Sequence, residues 1–120
     1  MKKIIGIIPA RFSSQRLFAK PLIEIGGIPM VIRVWKNIKS SKFLTDLIVA
    51  TDDQRIANVC KRFECPYIMT NPNLQSGTER IFEAYSKNFA SNINDIIVNI
   101  QGDEPFITNI EIDFLLNEFI

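Results

Sequence analysis

No histidine occurs anywhere in the 120 residues, and cysteine appears only twice, as Cys60 and Cys65. The missing imidazole excludes a histidine-based triad, a Cys-His pair and any histidine-bearing zinc site within this chain. The two cysteines lack the C-x-x-C spacing of a zinc or thioredoxin-type motif, so they read as small buried hydrophobes of a reducing compartment. Chemistry is thereby left to carboxylates, basic groups, a metal held by oxygen, or backbone donors. Net charge is equally scarce: 14 Lys and Arg against 13 Asp and Glu leave +1, so no global field draws the chain to nucleic acid or to a membrane surface. No apolar run approaches the ~20 residues of a membrane span. Met1-Lys2-Lys3 and the following IIGII imitate a secretory signal, but Pro9 and Arg11 interrupt the run too early. The expectation is a cytoplasmic protein with no nucleic-acid or membrane partner. Two familiar phosphate-binding signatures are missing as well: G-x-G-x-x-G does not follow the first apolar run, and G-x-x-x-x-G-K-[ST] does not occur.

What is present suits one domain with an ordinary core, since 47% of the residues are hydrophobic. Short β-branched runs at 3–8 (KIIGII), 46–51 (DLIVAT) and 95–100 (DIIVNI), with a weaker candidate at 66–69 (PYIM), have the near-continuous apolar character of parallel strands covered on both faces. Helical periodicity alternates with them. Met30, Val31, Val34, Trp35 and Ile38 form a stripe after Pro29, which suits a first helical position. Further stripes are Ile56, Val59, Cys60 and Phe63 after Asp53; Ile81, Phe82, Tyr85 and Phe89 after Thr78; and Ile112, Leu115, Leu116 and Phe119 after Asn109. Gly26-Gly27 marks a turn that needs positive φ. The alternation argues an α/β, doubly wound, mostly parallel sheet. Ligands in such sheets lie beyond the carboxyl ends of the strands, which selects the 9–21 loop, Thr51-Asp52-Asp53, and Gln101-Gly102-Asp103-Glu104-Pro105. The chain reads as the beginning of a longer domain, because four strands leave faces uncovered and Ile120 falls inside an amphipathic pattern.

Three stretches could carry chemistry. In the 9–21 loop, Arg11, Arg16 and Lys20 flank Ser13, Ser14 and Gln15. Arginine forks, hydroxyls and backbone N–H groups could wrap a polyphosphate there, although a solvated loop has the same composition. In QGDEP, Asp103 and Glu104 follow a buried strand between Gly102 and Pro105. A carboxylate so held suits Mg²⁺, which commonly bridges one or two carboxylates and substrate phosphates; a polar turn opening the next helix is the plainer account. In QSGTER (75–80), Ser76 and Glu79 have capping-box spacing, and the helix start could also donate N–H groups to a ligand. Asp52 and Asp53 read most simply as helix caps.

Taken together and in order, IPARFSSQRLFAKPL, LQSGTER and VNIQGDEP, with GIPMVIRV and IVATDD between them, closely resemble the 3-deoxy-manno-octulosonate (Kdo) cytidylyltransferases, or CMP-Kdo synthetases, over essentially the whole chain. The resemblance implies a three-layer Rossmann-like nucleotide-diphospho-sugar transferase fold, of which residues 1–120 would be the amino-terminal, CTP-binding part. It also implies a reaction: CTP and Kdo give CMP-Kdo and pyrophosphate with Mg²⁺, the sugar's anomeric hydroxyl attacking the α-phosphorus in line. The protein's task would be to neutralise triphosphate charge and align the reactants. By resemblance, Arg11, Arg16 and Lys20 grip the triphosphate and the leaving pyrophosphate, and Asp103 holds Mg²⁺. Gln101 contacts the nucleotide, while Ala10, Ser76, Gly77 and Thr78 line its pocket. Family members are about twice as long, and their second half supplies a further metal-binding aspartate, most sugar contacts and much of a homodimer interface. Little activity is therefore expected from 120 residues alone.

The sequence departs from the family pattern where Phe18-Ala19 stands for Pro-Gly in RLPGKPL, and where Leu74 replaces a common histidine. If that glycine position needs positive φ, Ala19 reshapes the loop or strains it by about 1 kcal/mol. Other readings compatible with the residues are a cytidylyltransferase for another acidic sugar, and a non-catalytic CTP-binding fragment.

Overall fold

The computed structural model describes residues 3–11, 20–74, 76–102 and 106–119. Among these residues, six strands and four α-helices run in the order β1 (Ile4–Ala10), β2 (Glu24–Ile25), β3 (Ile28–Pro29), α1 (Met30–Ile38), β4 (Asp46–Thr51), α2 (Gln54–Arg62), β5 (Tyr67–Met69), α3 (Gly77–Asn88), β6 (Ile96–Asn99) and α4 (Asn109–Phe119). A 3-10 turn, Lys20–Leu22, precedes β2. The main sheet has the order β5-β4-β1-β6, and every pairing in it is parallel. β2 and β3 form a separate antiparallel hairpin whose turn, Gly26-Gly27, takes φ of 62° and 81°; only glycine enters such a turn without cost.

The continuous apolar character of β1 follows from its central position, because each of its faces is covered. Ile5 and Ile7 point with Ile48 and Ala50 of β4 toward Ile81 and Ala84 of α3. Ile4, Ile8 and Ala10 point the other way, into a cluster with Val31, Val34, Trp35 and Ile38 of α1, Ile56 and Cys60 of α2, and Ile112 and Leu116 of α4. The result is three layers: α3 on one face, the sheet, and α1, α2 and α4 on the other. Cys60 and Cys65 are free thiols inside that core.

Several boundaries and faces differ from the sequence expectation. β1 continues two residues past Ile8, so Pro9 and Ala10 belong to the strand rather than to the loop. Pro9 is tolerated there although a proline nitrogen donates nothing to a ladder. Pro29 ends β3 and caps α1, one position before the helix proper. Phe82 is 70% exposed, because Arg80, Ile81 and Ala84 define the buried side of α3 and residue 82 lies off it at the helical angle. Leu115 is 62% exposed for a similar reason. On α4 the buried side is set by Ile112, Leu116 and Asp113, whose carboxylate accepts hydrogen bonds from the Ser41 hydroxyl and, at 3.1 Å, from the Lys42 N–H. β6 is one of the two edges of the sheet among the described strands, and Ile96, Ile97 and Val98 are only half-buried.

Candidate functional site at the strand carboxyl ends

Strand order decides where the ends converge. β1 leads out one way to β4 and β5, and the other way to β6, so the topological switch lies between β1 and β6. A crevice outside the carboxyl ends at such a switch is where open α/β sheets bind ligands. Arg11 directly follows β1 and is partly exposed at this place. Across from it, the Ile100 N–H donates to the Ile7 carbonyl at 3.0 Å, and the chain continues through Gln101 to Gly102. A Cβ at Gly102 would lie 3.3 Å from the Pro9 carbonyl oxygen and 3.4 Å from Ile8 Cγ2. Glycine therefore lets the segment after β6 close against the end of β1. Gln101 is exposed, with Nε2 3.4 Å from Asn99 Oδ1.

The start of α3 reaches the same end. A Cβ at Gly77 would sit 3.6 Å from Pro9 Cγ, which puts the helix N-terminus beside β1. Ser76 is its N-cap: the side chain accepts from the Glu79 N–H at 3.2 Å and lies 3.5 Å from Glu79 Oε1. The expected cap is thus present, and within the helix it leaves the N–H groups of Gly77 and Thr78 without an acceptor. Those donors and the positive end of the helix dipole favour an anionic or polar ligand. Ala10 is buried at the end of β1, and Thr78 is exposed.

The remaining corner belongs to Arg80, which sequence reasoning missed. Its side chain has no accessible surface. One terminal nitrogen donates to the Thr70 hydroxyl and lies 3.4 Å from the Asn71 carbonyl, and the other is 3.3 Å from Asp52 Oδ2. Burial pulls the guanidinium down from the ordinary arginine value, Asp52 opposes this, and neighbouring Arg11 adds to the lowering. Asp52 is therefore not the helix cap it resembles in sequence. Asp53 alone caps α2, accepting from the Arg55 N–H at 2.8 Å, and the Arg55 side chain holds that carboxyl below its usual value. The one available sequence signal for Arg80 was its position next to Ile81 and one turn before Ala84, both of which face the sheet.

Of the predicted site residues, Ala10, Arg11, Ser76, Gly77, Thr78 and Gln101 come together at this end of the sheet. Lys20 opens the 3-10 turn, which packs near α1. Arg16 and Asp103, like Ser13, Ser14, Phe18, Ala19 and Glu104, lie outside the described residues. Elsewhere, a hollow of about 380 Å³ between α4 and the loop leading into β4 is lined by Ser40, Phe43, Ile110, Asp113 and Phe114. None of the predicted site residues borders it.

A parallel three-layer sheet whose switch point carries an arginine, a close glycine turn and a capped helix N-terminus has the architecture of the Rossmann-like nucleotidyltransferases. The sequence model of the cytidylyltransferase family matches residues 5–119, and the chain belongs to that family. It is 50% identical over 107 residues to a 3-deoxy-manno-octulosonate cytidylyltransferase of Parabacteroides distasonis, covering 89% of this chain and 41% of that protein. Against the mitochondrial 3-deoxy-manno-octulosonate cytidylyltransferase of Arabidopsis thaliana it is 47% identical over 105 residues, covering 88% and 36%. Among solved structures, a CMP:2-keto-3-deoxy-manno-octonic acid synthetase complexed with CTP superposes with a TM-score of 0.88 at 37% identity, covering 98% of this chain and 47% of that one. The chain thus spans less than half the length of these relatives.

Proposed function

We propose that this chain is the amino-terminal, CTP-binding part of a single cytidylyltransferase domain. The full reaction joins CTP and Kdo into CMP-Kdo with release of pyrophosphate, a cytoplasmic step that supplies lipopolysaccharide biosynthesis. The observation that carries the reading is the β1/β6 switch, where Arg11 follows β1 and Gly102, after β6, approaches the Pro9 carbonyl closely. Family membership and the CTP complex of a structural relative support it.

In this reading Arg11, Arg16 and Lys20 neutralise the triphosphate and stabilise charge on the departing pyrophosphate. Gln101, Ala10 and the α3 start at Ser76-Gly77-Thr78 receive the nucleoside. Among the described residues no cluster of three His, Cys, Asp or Glu could cage a metal. A Mg²⁺ here would suit the mode that ion ordinarily takes, one or two carboxylates plus substrate phosphates, with Asp103 as the protein ligand. When bound, it would offset triphosphate charge. Kdo contacts and a homodimer interface are assigned to the part of the longer relatives that these 120 residues do not span. Among the described residues no helix is long and apolar enough to cross a membrane.

Because the chain spans less than half of its relatives, binding without transfer is the second reading. Pyrophosphate release measured with CTP, Mg²⁺ and Kdo separates the two. Release requires the transferase, whereas CTP-dependent thermal stabilisation without release leaves a binding module. Turnover with a different acidic sugar and not with Kdo would reassign the substrate. Absence of both turnover and CTP stabilisation would sink the proposal.

A further inference from the structure

We propose that Arg80 is a positioning residue for the nucleotide site: its ties to Asp52, Thr70 and Asn71 set the start of α3 against the ends of β4 and β5. The inference rests on the reading that α3 receives the nucleoside. With no accessible surface, Arg80 cannot itself touch a ligand. All its partners lie outside its own helix: Asp52 follows β4, and Thr70 and Asn71 follow β5. One guanidinium therefore joins three segments at the carboxyl end of the sheet, one helical turn from Gly77 and Thr78.

Stability alone is a poor account of this choice. A buried ion pair commonly stabilises no better than well-packed apolar groups of the same volume. Here the position lies beside Ile81 and Ala84, where an aliphatic side chain would suit the layer. The pairing is also incomplete, since the Arg80 Nε is buried without a hydrogen-bond partner. What an aliphatic residue could not supply is direction. The planar fork fixes the distance and angle between α3 and two strand ends, as a flexible lysine would not. The Thr70 N–H, which donates to the Thr51 carbonyl at 2.8 Å, locks the β4 and β5 ends to each other on the far side of the fork. Asp52 also neutralises the buried charge, whereas neighbouring Arg11 is only partly buried.

The role separates base-dependent from phosphate-dependent binding. Dissociation constants for CTP and for inorganic tripolyphosphate, both with Mg²⁺, are measured by calorimetry on the 120-residue chain, Arg80→Lys and Asp52→Asn. The expected result is that both variants lose about tenfold or more for CTP, while tripolyphosphate affinity stays within about twofold. A thermal melt accompanies each titration, and Asp52→Asn decides by the same ratio if Arg80→Lys does not fold. Equal losses for both ligands, or no loss for either, would overturn the positioning role. A wild-type chain that binds tripolyphosphate no less tightly than CTP would instead remove the nucleoside reading on which the role depends.

Discussion

Arg80 has no accessible surface, whereas Arg11, at the end of β1, keeps part of its surface open. Arg11 lies near enough to disfavour charge on Arg80, which has an Asp52 carboxylate at 3.3 Å. The proposed function has Arg11 meet the triphosphate. Arg11→Ala is expected to weaken CTP binding by about 1.5–3 kcal/mol, the usual loss for a charged hydrogen-bond partner, with little change in melting temperature. Calorimetric titration of the variant checks this, and unchanged affinity would remove Arg11 from the triphosphate site. Residue by residue, the sequence was legible where a spacing has one cheap explanation, as with Ser76 and Glu79 at the start of α3. It was silent on Arg80, because an arginine in a helix reads as solvated until the fold shows carboxylate, hydroxyl and carbonyl around it.

At the scale of elements, caps carry much of the local definition. The Ser76 hydroxyl takes the Glu79 N–H, so Ser76→Ala is expected to cost about 1 kcal/mol. Urea unfolding would show it, with CTP affinity reduced as the first turn of α3 frays. α2 ends in a Schellman arrangement: the Cys65 N–H donates to the Cys60 carbonyl at 2.8 Å and the Glu64 N–H to the Lys61 carbonyl at 3.1 Å. Glu64 therefore sits at φ 58°, a conformation that favours glycine. Glu64→Gly is expected to stabilise the chain by up to about 1 kcal/mol, read as a higher urea midpoint at unchanged slope. The same motif brings Cys60 and Cys65 together in the core, where their shared hydrogen bond and burial push the Cys65 thiol far up and keep it protonated. Helix starts and stops were visible in sequence because capping is local. The inward faces of α3 and α4 were less so. Phe82 and Leu115 have the hydrophobicity of core residues, but Arg80 and Asp113 hold hydrogen-bond partners that turn their own sides of the helices inward.

At the scale of the whole molecule, three carboxylates among the described residues lie below their usual values: Asp53 through Arg55, Glu83 through the Asn71 N–H, and Asp95 through the Tyr85 hydroxyl. A depressed carboxyl stabilises the fold above its unfolded pKa and loses that contribution as pH falls through the folded one. With no histidine to titrate, melting temperature is expected to hold steady from pH 8 to about 5 and to decline below about 4. Asp95→Asn should soften the decline, and a melt series in acetate and citrate buffers reads it. The class of fold and the β-α alternation were already set by the sequence, since strand and helix periods, caps and turn glycines are local properties of neighbouring residues. Only the tertiary structure decided the order β5-β4-β1-β6. That order places Arg11, Gly102 and the start of α3 at one switch point and buries Arg80 between Asp52 and Thr70. These contacts join segments far apart in the chain, as does the Lys3–Asp95 hydrogen bond, 92 positions apart, at the opposite end of the sheet. No periodicity within one element encodes which strand lies beside which; that is settled by covering both faces of β1 at once.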